Sequence, residues 1–78
     1  MVQFEHSETA DAIYIRFSGL PYAYGKDLDD DRRVDYAANG EVIGIELLGV
    51  SEGVHTDDLP QRDVIIRVLE EHKIPLYA

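Results

Sequence analysis

Val34-Asp35-Tyr36-Ala37-Ala38-Asn39-Gly40-Glu41-Val42-Ile43-Gly44-Ile45-Glu46-Leu47-Leu48 reads as a β-hairpin written almost in full. Asn39-Gly40 supplies the positive-φ conformations that a tight hairpin turn needs. The flanking Val, Ile and Tyr residues suit a pleated, half-buried surface. In the second arm Ile43, Ile45 and Leu47 share one face, and Gly44 and Glu46 share the other, with Val42 and Leu48 at its ends. A glycine in mid-strand marks a bulge or a close backbone approach, so Gly44 is expected to be one or the other.

Upstream, Asp11 to Ser18 alternates in the same way. Ile13, Ile15 and Phe17 point to one side, and Ala12, Tyr14 and Arg16 to the other. This is the pattern of an antiparallel strand with one face on a core. Val2 to Glu5 reads as a short first strand and Ser7 to Asp11 as the turn that follows it. Gly19-Leu20-Pro21 breaks the second strand. Tyr22-Ala23-Tyr24 is either an edge strand or part of a loop, and Lys26 to Asp31 reads as a charged connection.

Downstream, Gly49 to Thr56 reads as a linker. Asp58 is then placed to cap a helix, with Gln61 completing a capping-box pattern and Pro60 in the first turn. Ile65, Val68, Leu69 and His72 keep helical spacing, and Pro75 ends the element by Lys73 or Ile74. The β-branched Val64-Ile65-Ile66 keeps a strand open as the alternative there. The expected fold is α+β. A small twisted antiparallel sheet of three to four strands, built from hairpins, packs on one C-terminal helix. The chain reads as a single domain over residues 1–78, with a β core over 1–51 and a linker, helix and short tail over 52–78.

Two segments together resemble a known family. Ala10-Asp11-Ala12-Ile13-Tyr14-Ile15 is similar to an "ADALYI" signature. Val34-Asp35-Tyr36, Asn39-Gly40 and Gly44-Ile45-Glu46-Leu47-Leu48 are similar to a "VDYD…G…GIEIL" signature. Both belong to the bacterial group called domain of unknown function 2283, and the resemblance runs from Phe4 to Ser51. It implies a compact, largely β prokaryotic domain and supplies no activity and no catalytic residues. Some members of the group carry a short extra C-terminal segment, as residues 52–78 would be here. The chain departs from the pattern twice. Ser7-Glu8-Thr9 stands where Asp-Pro-Glu is usual, and Ala37 stands where a second Asp is common.

Composition excludes several function classes. Seven Lys and Arg face sixteen Asp and Glu, for a formal net charge of −9. Phosphate binding rests on Lys and Arg, so neither nucleic acid nor an anionic membrane is an expected partner. A basic protein is a better match to this charge. There is no Cys, which removes thiol nucleophiles and disulfides and fits a cytoplasmic setting. Met1 to His6 has no basic start and no long apolar run, so no signal peptide is expected. A domain of 78 residues buries only roughly 60% of its unfolded surface, and self-association, to a homodimer or higher, is one remedy.

Catalytic and metal signatures are weak. Asp27, Asp29, Asp31 and Asp35 fall at four EF-hand ligand positions, but Arg32 stands where the loop needs Gly and Ala38 where it needs Glu. His6, His55 and His72 lie in separate elements without zinc-ligand spacing. No catalytic residue, cofactor or metal ligand is therefore assigned. Asp35 and Glu46 straddle the hairpin turn. They are either a carboxylate pair at a site or, more plainly, partners of Arg16, Arg32 or Arg33 across strands, with Asp11 capping its turn. Tyr14, Arg16, Asp35, Tyr36 and Glu46 form the candidate interaction or ligand face, because tyrosine combines area with a polar tip. Two functions compete. One is a non-enzymatic homo-oligomeric protein-interaction module. The other is a small-molecule or metal-binding protein, an enzyme included, with its site at a dimer interface.

Overall fold

The structure is a computed structural model that describes residues 2–77. Its strands are β1 (Gln3–Ser7), β2 (Ala12–Arg16), β3 (Tyr24–Asp27), β4 (Arg32–Tyr36) and β5 (Val42–Leu48). A short 3-10 turn, Val50–Glu52, and one helix, α1 (Arg62–Glu71), follow. The strands form one sheet in the order β1-β2-β5-β4-β3, antiparallel at every junction. The fold is α+β with a C-terminal helix, as expected, but the sheet has five strands rather than three to four.

The extra strand is β3. Its residues, Tyr24-Gly25-Lys26-Asp27, carry no apolar alternation, and three of the four are exposed. Pairing with β4 makes it a strand, in the register Tyr24↔Tyr36 to Asp27↔Arg33. The segment from Phe17 to Ala23 carries the chain from β2 to this far edge, and β4 and β5 then fill the gap back to β2.

The β4–β5 hairpin forms where it was expected, with a different turn. Ala37 N–H donates to Glu41 O at 2.9 Å and Gly40 N–H donates to Ala37 O at 2.9 Å. Only Gly40, at φ 88°, has positive φ in this turn. This is a longer loop in which glycine alone takes the left-handed position. Asn39 instead uses its side-chain carbonyl to accept from Glu41 N–H at 2.9 Å. The ladder slips by one residue beyond Asp35↔Gly44, so that Tyr36 pairs with Val42 and Ile43 is the extra residue. The slip explains an exception to the alternation. Ile43 is fully buried but stands outside the main core, while Val42 and Tyr36 pack against that core.

That core joins Ile13, Ile15, Val34, Ile45 and Leu47 of the sheet to Ile65 and Leu69 of α1. Val50, Val54 and Leu59 also belong to it, so the segment read as a linker is a buried strap. Its end is fastened to the tail. Val54 N–H donates to Pro75 O at 2.9 Å, and Tyr77 N–H donates to Val54 O at 3.0 Å. Residues 64–69 are helical. The expected capping box is absent: Asp58 and Gln61 both have positive φ, Gln61 is itself the cap without a side-chain bond, and Pro60 precedes the helix.

Burial sets the expected stability map. Leu69→Ala, at a fully buried position, is expected to cost about 2–5 kcal/mol. Leu48→Ala, on the exposed side of β5, is expected to stay within about 0.5 kcal/mol. Urea denaturation of the two variants beside the parent chain checks both values.

Candidate functional site

The sheet has two unlike faces. One carries α1. On the other, strand register sets side chains in rows. Gln3, Arg16, Gly44, Asp35 and Gly25 make one row across the sheet, and Glu5, Tyr14, Glu46, Arg33 and Asp27 make the next. Tyr14, Arg16, Asp35 and Glu46, four of the five residues singled out from sequence, therefore share this face. Tyr36 does not. It lies on the helix side, where it packs against the core and stacks on Tyr24 with ring centroids 5.0 Å apart.

Asp35 is the hub of the open face. It has glycine on both sides, Gly25 on β3 and Gly44 on β5. Neither can take a side chain without collision. A methyl group on Gly44 would strike the Tyr14 ring and hydroxyl, and one on Gly25 would strike the Arg33 guanidinium and the Asp35 carboxylate. Across these bare positions the neighbours reach in. Tyr14 Oη donates to Asp35 Oδ2 at 3.0 Å, and Arg33 Nε donates to Asp35 Oδ1 at 3.3 Å. Arg33 Nη2 in turn donates to Tyr22 Oη at 2.9 Å. The Arg16 guanidinium carbon sits 5.9 Å from the Tyr14 ring centroid, within cation–π range.

Mid-strand Gly44 was legible as a close approach, and Tyr14 is what approaches. Arg33 was named from sequence as a partner across strands, and the structure places it instead two residues before Asp35 on the same face of the same strand. Tyr22 and Gly25 were missed.

Asp35 pairs within its own strand, through Arg33, rather than across strands to Arg16 or Arg32. Asp11 does not cap its own turn. Its carboxylate accepts from Ser51 N–H at 2.9 Å and from Ser51 Oγ at 2.7 Å, tying the β1–β2 turn to the strap. Arg32 holds the other end of the strap by donating to His55 O and Asp57 O. Three of the four aspartates at EF-hand positions are engaged by arginines. Asp29 pairs with Arg32 at 2.9 Å, Asp27 faces Arg33 at 3.9 Å, and Asp35 belongs to the hub. Asp29 also accepts Asp31 N–H, a bond that holds its carboxyl below the ordinary 3.8. Among the described residues no group of three or more His, Asp or Glu is gathered as a metal site.

Burial and the adjacent Asp35 carboxylate push the Tyr14 phenol from its ordinary 10.0 up to about 12. The neutral phenol is thus the form that the fold favours. Its stabilising contribution is complete below pH 10 and is lost as pH rises toward 12. Tyr14→Phe is expected to cost about 1 kcal/mol at neutral pH and to flatten the fall in stability between pH 10 and 12. Denaturant melts across that interval, on variant and parent, read the difference. Gly44→Ala is expected to cost about 1–3 kcal/mol by overpacking, and less in a Tyr14→Ala background, where the colliding ring is gone. A double-mutant cycle measures that coupling.

No helix among the described residues is long and apolar enough to cross a membrane. No curated protein and no solved structure matches the chain. The family model described as a protein of unknown function (DUF2283) matches residues 4–51, from the second residue of β1 to the 3-10 turn, without α1. That segment is more than half of the chain and contains both signatures, the one bringing Tyr14 and the other Asp35 and Gly44. The chain therefore belongs to the DUF2283 family.

Proposed function

We propose that this protein is a non-enzymatic, homo-oligomeric interaction module whose open sheet face also receives a basic protein partner. The observation that carries the reading is the mutual satisfaction of the hub. Both Asp35 oxygens and the Tyr14 hydroxyl are engaged with one another or with Arg33. A general base needs a proton affinity near the working pH, and a phenol pushed up to about 12 is far from it. Side chains held in this way make a rigid, pre-organised surface, which lowers the entropy cost of docking. The two rows carry Glu5, Asp27, Asp35 and Glu46 against Arg16 and Arg33, an acidic surplus that suits a basic partner. Among the described residues β1 and β3 are unpaired sheet edges, which favour self-association in so small a domain.

Native mass spectrometry of tag-free protein tests the reading. The expected result is a multiple of the 8.8 kDa chain mass with nothing added. A reproducible added mass, lost in the Asp35→Asn/Glu46→Gln double variant, would overturn it in favour of a bound ligand or metal.

A further inference from the structure

The two free edges of the sheet are not alike. Among the described residues seven large apolar side chains are exposed, and four of them, Leu20, Tyr22, Tyr24 and Leu28, lie on or beside β3. Tyr22 and Tyr24 are 52% and 45% exposed. An apolar groove lined by Leu20, Pro21, Tyr22, Ala23 and Ala37 opens at the N-terminal end of this strand. Leu28, 41% exposed, projects just past its C-terminal end. A groove and a knob at opposite ends of one edge are the elements of a self-complementary contact, because an antiparallel two-fold brings each to the other.

The main chain agrees. Leu28 N–H donates to Arg32 O at 2.8 Å, and the β3–β4 register runs unbroken from there to Tyr24↔Tyr36. Alternation then turns the N–H and C=O of Gly25 and Asp27 away from β4, toward the free edge. Gly25 has no side chain to obstruct a neighbour. We propose that β3 pairs edge to edge with β3 of a second copy of this chain, antiparallel about a two-fold axis at Gly25. The inference rests on the homo-oligomeric reading above and names its interface.

The register follows from charge and face. Directly opposite residues share a face, so the axis passes through a residue rather than between two. An axis at Lys26 would set Lys26 against its own copy. An axis at Gly25 sets Lys26 against Tyr24 of the second copy, where the ammonium extends the Tyr36–Tyr24 stack as a cation over a ring. Ala23 N–H already donates to Tyr36 O at 2.9 Å, so the regular pairing is confined to Tyr24, Gly25 and Lys26, and beyond it the edge carries Leu28 toward the groove of the second copy.

Two variants test the interface. Asp27→Pro/Leu28→Asp removes an outward N–H, at an edge position where proline is tolerated, and removes the knob. It is expected to melt near the parent temperature and to lose the dimer mass seen by light scattering and native mass spectrometry. Lys26→Cys introduces the sole thiol into a chain without Cys, and is expected to give a cross-linked dimer with a short bismaleimide, since diagonal neighbours lie about 7–8 Å apart. This second arm decides the matter if the first variant fails to fold. A parent dimer that survives the double substitution, together with no cross-link in the Lys26→Cys variant, would overturn the β3 interface and leave the homo-oligomeric reading standing. A parent chain that is monomeric at every concentration would overturn both.

Discussion

Ile45 must be kept dry, and the rest of the molecule is arranged around that requirement. It is flanked by Ile15 on β2 and Val34 on β4, so three branched aliphatic side chains make one row across the middle of the sheet. All are at most 1% exposed. Sheet residues alone cannot cover this row from above. α1 does so with Ile65 and Leu69, and the strap adds Val50, Val54 and Leu59. Burial of such side chains is worth about 1.5–3 kcal/mol each, so this single layer is a large part of what opposes chain entropy in so short a chain.

The opposite face meets a different constraint. With no helix over it, it is built from polar side chains that lie across the sheet instead of standing up from it. Gly44 and Gly25 make that possible by leaving the backbone bare on either side of Asp35. Tyr14 and Arg33 fill the two spaces and satisfy the carboxylate. The glycines are thus a condition for the polar network, and they belong to its chemistry as much as the charged groups do.

Period-two patterning made β2, β4 and β5 legible because their side chains alternate between water and Ile45's layer. The same logic failed for β3, where pairing to a neighbour and not hydrophobic pattern makes the strand. At Tyr36 the rule holds, since alternation puts it on the helix side with Val34, and grouping Tyr36 with Tyr14 on one surface ignored it. Asp58 and Gln61 looked like a capping box, yet both take left-handed backbone conformations that no side-chain pattern announces. Val50, Val54 and Leu59 follow neither period, since a strap buries whichever residue happens to face inward. Of the hub, Tyr14 and Asp35 were visible as polar positions on apolar strands. The contact between them joins residues 21 apart and comes from the order of strands, which local pattern does not encode.

The bridge between Val54 and Leu76 has a consequence for how the molecule opens. It closes the strap, α1 and the tail into a loop, and the cost of such closure grows only slowly with loop length. The helix has ten residues, fewer than an isolated helix needs to persist in water. Its amide protons are therefore guarded by the clasp and by the layer beneath, not by helical propensity. Slow hydrogen exchange along α1 would be a readout of two distant pieces of chain holding together, and the helix would be expected to exchange as one unit when that clasp lets go.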